Sequence, residues 1–96
     1  MRIKILFSAV EDLYVGRIFY EKQGAGLGEY FFDSLFSDID SLALYAGIHR
    51  KVFGYHRLLS QRFPYAVYYT VEADVVVIFR VLDLRRNPAR IHHALL

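Results

Sequence analysis

Arg85 and Arg86 stand side by side just after the most apolar stretch of the chain, with Arg90 four residues further on. A guanidinium presents a rigid fork of donors that holds a phosphate or a carboxylate by two parallel hydrogen bonds without breaking any bond. Three arginines at this spacing therefore make a gripping surface, and Arg85, Arg86 and Arg90 are the expected target-binding residues. A second basic pair, His56-Arg57, lies in a strand-like segment. Neighbours in a strand point to opposite faces, so the two cannot both reach one phosphate directly, and an ion pair with the acidic helix or a partner is the role expected for Arg57. His92 and His93 are adjacent in the tail and read as exposed side chains rather than as a base or metal ligands. The stretch Gly24-Ala25-Gly26-Leu27-Gly28 has the composition of a nucleotide loop, but it joins two helical patterns instead of following a strand, and no phosphate is assigned to it. No Ser–His–Asp set or metal-ligand spacing occurs elsewhere, so neither metal nor cofactor is expected. With this inventory the chain should act by binding.

The charge is arranged to support that. The net charge is only +2, yet up to Ala46 the acids lead, with Glu11, Asp12, Glu21, Glu29, Asp33, Asp38 and Asp40 against Arg2, Lys4, Arg17 and Lys22. Beyond it, Arg50, Lys51, Arg57, Arg62, Arg80, Arg85, Arg86 and Arg90 face only Glu72, Asp74 and Asp83. A basic C-terminal half attracts nucleic acid, an acidic protein surface, or both. The 96 residues suffice for one domain, 1–96. Fifty-five per cent of them are hydrophobic, with eight Phe and eight Tyr, and the mean hydropathy of +0.23 is high. No apolar run reaches the roughly 18–20 residues of a spanning helix, so no membrane partner is expected. Met1 to Phe7 is too short and too alternating for a secretory leader. Together with the absence of cysteine, this suits a reducing cytoplasm. The apolar excess is then either a dense Tyr-rich core or surface reserved for a protein partner.

The elements that must position these residues can be read in order. Ile3 to Phe7 alternates and predicts a strand. Ser8 with Glu11 has capping-box spacing and predicts the start of a helix, with Ala9, Leu13, Gly16 and Tyr20 on one stripe. Gly16 costs helix propensity and is expected where another backbone crosses closely. Gln23 to Gly26 ends this helix. From Leu27 to Ala46, Leu27, Phe31, Phe32, Leu35, Phe36, Ile39, Leu42, Ala43 and Ala46 fill one half of the helical wheel, opposite Glu29, Asp33, Ser37, Asp40 and Ser41. Tyr55–Ser60 predicts a short strand, and Tyr65–Glu72 and Val75–Leu82 predict a hairpin across Ala73-Asp74. Asn87-Pro88 ends the sheet, and the tail adds a helical turn. The fold expected is α+β, a helix hairpin packed on one face of a small, mainly antiparallel four-stranded sheet in the order β-α-α-β-β-β.

The strand Val75–Leu82 is apolar on both faces, whereas a sheet covered on one side alternates. Its second face, carrying Val76 or Val77 together with Phe79, must be covered by the tail and loops or by a partner segment.

Several segments, in order, carry a resemblance: Asp12-Leu13, Phe19-Tyr20-Glu21, Gly26-Leu27-Gly28, Phe31 to Leu42, His56-Arg57-Leu58-Leu59, Phe63 to Tyr69, Val75 to Val81 and Arg85-Arg86-Asn87-Pro88. The chain resembles the RelE/ParE superfamily of toxins from type II toxin–antitoxin pairs over essentially its whole length. The resemblance implies a cognate antitoxin that wraps a segment across the toxin and forms a hetero-oligomer with it, with Val76, Val77 and Phe79 as the antitoxin-binding residues. It implies one of two activities: cleavage of messenger RNA in the ribosomal A site, or inhibition of DNA gyrase. The RelE route relies on basic side chains for acid–base work and for steadying the phosphate. One arginine of that subfamily falls on Ala66 here, and its C-terminal basic positions map only loosely onto Arg85, Arg86 and Asn87. The departure at Ala66 favours the ParE-like branch, with no self-contained active site. In the alternative, a ribosome-dependent endoribonuclease, His56, Arg57, Arg85 and Arg86 are the catalytic candidates.

Overall fold

The alternating residues at the start of the chain do form a strand, but one that pairs with the last strand of the sheet. The computed structural model describes residues 1–96. Its elements are β1 (Arg2–Ile5), α1 (Phe7–Gln23), α2 (Leu27–Tyr45), β2 (Lys51–Val52), β3 (Tyr55–Leu59), β4 (Tyr65–Glu72), β5 (Val75–Asp83) and α3 (Pro88–Ala94). The sheet has five strands in the order β1-β5-β4-β3-β2, one more than expected. It is mixed, because β1 runs parallel to β5 with Ile3 beside Val76, while the other pairs are antiparallel. The extra strand β2 arises from a two-residue turn in which Phe53 and Gly54 take φ values of 55° and 86°. Positive φ at both centres matches the twist of a tight hairpin.

α1 does not begin with a capping box. The Leu6 N–H still donates to the Ile78 carbonyl, so strand pairing sets Leu6 as the extended residue before the helix, and no side chain caps it. Ser8 lies in the first turn and donates its hydroxyl to the Phe79 carbonyl at 2.8 Å. The cap instead appears on α2: the Glu21 carboxylate accepts from the Gly26 and Gly28 N–H groups at 3.2 and 3.0 Å. A carboxylate at a helix N-terminus satisfies orphan donors and opposes the helix dipole. The hairpin is tight just beyond its turn. A Cβ on Gly28 would come within 2.6 Å of the Arg17 carbonyl oxygen, and one on Gly16 within 2.5 Å of the Phe31 ring.

The main core lies between this hairpin and one face of the sheet. Leu13, Phe31, Leu35, Ile39 and Leu42 meet Tyr65, Val67, Tyr69, Val76, Ile78 and Val81 there. Leu35 and Ile39 are 0% and 1% exposed, so replacing either by alanine should cost roughly 2–5 kcal/mol. Urea unfolding at an unchanged m-value checks this.

The second face of the sheet is closed largely from within the chain. Ile91 and Leu95, on and just after α3, cover Ala66, Tyr68 and Leu82. The Tyr55 hydroxyl donates to the Leu95 carbonyl, and Phe53 stacks on His92 at 4.2 Å. The Asn87 side chain caps this helix through the Ala89 N–H. A β-bulge also intervenes: Tyr68 pairs with Arg80 and Tyr69 with Ile78, leaving Phe79 as the extra residue. A bulge turns two successive side chains toward one face. Phe79 and Arg80 accordingly both lie on the second face, and Val81 returns to the core.

This corrects the expected open face. Val76 is fully buried on the helix side, because the register with β1 sets it beside Ile3. Val77 is on the second face but only 9% exposed, and Phe79 is half-buried with its ring 5.0 Å from Tyr55. The larger uncovered apolar surface is on α1, where Phe7, Tyr14, Val15, Ile18 and Phe19 are between 43% and 75% exposed.

Candidate functional site

The basic residues gather at the C-terminal end of β5 and along α3. Arg80 enters from the bulge, in a strand otherwise apolar until Asp83. Its guanidinium makes a fork with Asp12 of α1, Nε to Oδ2 at 2.7 Å and Nη2 to Oδ1 at 2.9 Å. Nη1 donates to the Ala94 carbonyl at the end of α3. The Asp12 carboxylate also accepts the Val81 N–H at 2.9 Å. A buried charge needs a partner, so an arginine inside an apolar strand was the signal in the sequence that something must reach it. Arg80 thus ties α1, β5 and α3 together, and its charge is largely neutralised.

Arg85 is held too. It lies two residues beyond Asp83 and grips both carboxylate oxygens, at 2.9 and 2.7 Å. Its guanidinium also sits 5.6 Å from the centre of the Phe19 ring. Burial pushes the Asp83 carboxyl upward, but the hydrogen bonds from Arg85 outweigh it and hold the group below its ordinary range. Arg86 and Arg90, by contrast, are exposed and make no ion pair. With Arg80, Ala89, His93 and Ala94 they line an open groove of about 410 Å³. Of the three expected target-binding arginines, Arg86 and Arg90 therefore share one groove, while Arg85 turns back onto Asp83 and Phe19. His93 belongs to the groove as well, which its place in the tail did not reveal.

Such a groove offers two unpaired guanidiniums and an imidazole with no carboxylate between them. Its chemistry is anion binding, to a phosphate backbone or to carboxylates on a protein. Tyr65 lies just behind Arg86, in a hollow shared with Asp12 and Asp83. Burial first, then the Asp83 charge, pushes its phenol up to about 12.

The remaining candidates do not converge on this groove. His56 points to the helix side, where its ring stacks 5.1 Å from Tyr69 and Nδ1 bonds to the His49 carbonyl at 2.7 Å. Arg57 points to the second face beside Tyr68 and forms no ion pair with the acidic helix, since alternation sends it away from the helices. Its groove is mostly apolar, with Val52, Phe53, Leu84, Pro88 and Ile91. Ala66 is fully buried beneath Ile91 and Leu95. A histidine that sequence reasoning passed over, His49, bonds to the Tyr69 hydroxyl, which also accepts the Gly47 N–H. Burial, then the neighbouring His56, lowers its pKa. These contacts fasten the loop after α2, and nothing in the lone residue signalled them. No group of three or more His, Cys, Asp or Glu side chains comes together to hold a metal, and no helix is long and apolar enough to cross a membrane.

No family model matches the chain, and no curated protein does. Among solved structures, it is similar to a chain from the chromosomal ParDE TA system of P. aeruginosa, with a TM-score of 0.75 and 21% sequence identity. The match covers 88% of this chain and 96% of the other. The two share a fold across nearly their whole length, and the α+β architecture expected from the sequence is the one observed.

Proposed function

We propose that this chain is the toxin of a type II toxin–antitoxin pair of the ParE-like kind. It is neutralised by a cognate antitoxin and inhibits an essential target, DNA gyrase in the first instance. The fold shared with a chain of a ParDE system over 88% of this chain supports the reading. The anion-binding groove of Arg86 and Arg90 supports target binding without bond cleavage. Buried Ala66, the opposed His56 and Arg57, and the tethered Arg85 weigh against the A-site endoribonuclease. The antitoxin segment is assigned to the second face at Val77 and Phe79. Phe79 lines a groove of about 210 Å³ there with Ser8, Tyr55, Arg80 and the Ala94–Leu96 tail.

Expression of the chain should arrest growth, and co-expression of its antitoxin should restore it. Arg86→Ala with Arg90→Ala should abolish the arrest while the antitoxin complex still forms. Arg85→Ala alone should have the smaller effect, because its guanidinium is already committed to Asp83. Purified gyrase should lose supercoiling activity on adding the chain, and programmed ribosomes should show no A-site cleavage. Cleavage of the message would instead establish the endoribonuclease, with His56, Arg57, Arg85 and Arg86 as the first residues to test.

A further inference from the structure

α1 is apolar on both sides. Its inner stripe, Ala9, Leu13 and Gly16, is buried against α2 and the sheet. Its outer stripe runs Phe7, Glu11, Tyr14, Val15, Ile18, Phe19 and Lys22, all exposed. At 100° per residue these seven fall within about 140° of arc, one continuous face. Glu11 and Lys22 are the only charges on it, and neither has an ion-pair partner within the chain.

The order of residues along this face reads the same from either end. Val15 and Ile18 are equally distant from the midpoint between Gly16 and Arg17, and so are Tyr14 and Phe19, and Glu11 and Lys22. A two-fold axis through that midpoint would lay a second α1 antiparallel on the first, at the roughly 8–10 Å separation of packed helices. Val15 would then meet Ile18 of the other copy, Tyr14 and Phe19 would flank this pair, and Glu11 would face Lys22 twice. Phe7 would fall against the turn at Gly24–Gly26, where two glycines leave room. An isologous contact requires one patch to complement itself in this way.

We infer that the outer face of α1 is a homodimer interface, occupied by α1 of a second copy of this chain. This inference does not rest on the toxin reading. The exposed parts of Phe7, Tyr14, Val15, Ile18 and Phe19 amount to nearly three whole residues. That is on the order of 500 Å² per copy, given that aromatic side chains bury about 150–250 Å² each. About 1,000 Å² in total is the lower bound for a specific contact. The contact is accordingly of the weak, reversible class.

Sedimentation equilibrium of the purified chain tests this. The mass should rise with concentration from 11.2 kDa toward twice that value. Glu11→Lys and Lys22→Glu should each raise Kd about tenfold, because each places like charges together at both ends of the interface. Both positions are exposed, so circular dichroism should show each variant folded. An equimolar mixture of the two variants should regain wild-type affinity, since the mixed dimer restores two opposite-charge pairs. A chain that stays monomeric to the highest soluble concentration overturns the inference. So does a dimer indifferent to both reversals, or a mixture that fails to recover. Loss of antitoxin binding in the reversal variants, with no change in self-association, would give the face to the antitoxin instead.

Discussion

Replacing Gly16 by leucine should leave no cooperatively folded protein. The Cβ alone would stand 2.5 and 2.6 Å from two atoms of the Phe31 ring, before any further side-chain atom is placed. Phe31 cannot retreat, being fully buried and packed against Tyr20 and Tyr65 with ring centroids 5.1 and 4.8 Å away. Overpacking a filled core costs about 1–3 kcal/mol for a few extra methylenes, and leucine adds four carbons where not one fits. Alanine provides the graded test. It should gain about 1 kcal/mol of helix propensity over glycine and still melt below wild type, because the clash exceeds that gain. An alanine variant melting at or above wild type would show that Phe31 yields and that the crossing is looser than the distances imply.

Asp12→Ala should be the most damaging loss of a single polar group. Its side chain is 13% exposed and that of Arg80 26%, so removing the carboxylate strands a largely desolvated guanidinium. It also orphans the Val81 N–H. Breaking such a pair costs roughly 3–5 kcal/mol, a large share of the 5–15 kcal/mol that about covers a small domain. Asp12→Ala with Arg80→Met should recover much of the loss in urea unfolding, since removing both charges removes the stranded one. If the double variant is no more stable than Asp12→Ala, the stranded guanidinium is not the cause.

Legibility in the sequence followed the range of the interactions involved. The period of Leu27 to Ala46 and the gap at Ala73-Asp74 are local signals that marked their elements within a residue or so, whereas Asn87-Pro88 stands four residues past the end of β5 and opens α3 instead. Arg85 beside Asp83 was local as well: an aspartate at the end of a strand accepts from the backbone two residues on, as Asp83 does from the Arg85 N–H, and their pairing could have been foreseen. What failed was decided at a distance. Ser8 looked like a cap, but strand pairing to Ile78 moved the helix start and gave its hydroxyl to Phe79. Simple alternation does not foresee the bulge at Phe79, which puts Arg80 on the same face. The partner of Arg80, 68 positions away, has no sequence signature. The two-faced apolarity of β5 did signal a second cover, and much of that cover proved to be the tail.

The parallel pairing of β1 with β5 bears on how the molecule comes into being. β1 is the first strand made and its neighbour the last, so the edge of the sheet cannot close until almost everything between them exists. Contacts so far apart in sequence are costly in chain entropy and slow the search for the native state. The helical hairpin, built from near neighbours, can assemble early, with Ile3 and Ile5 waiting beside an unfilled edge. During synthesis the nascent chain therefore spends time with apolar surface uncovered, a period in which association with another polypeptide competes with completion of its own sheet.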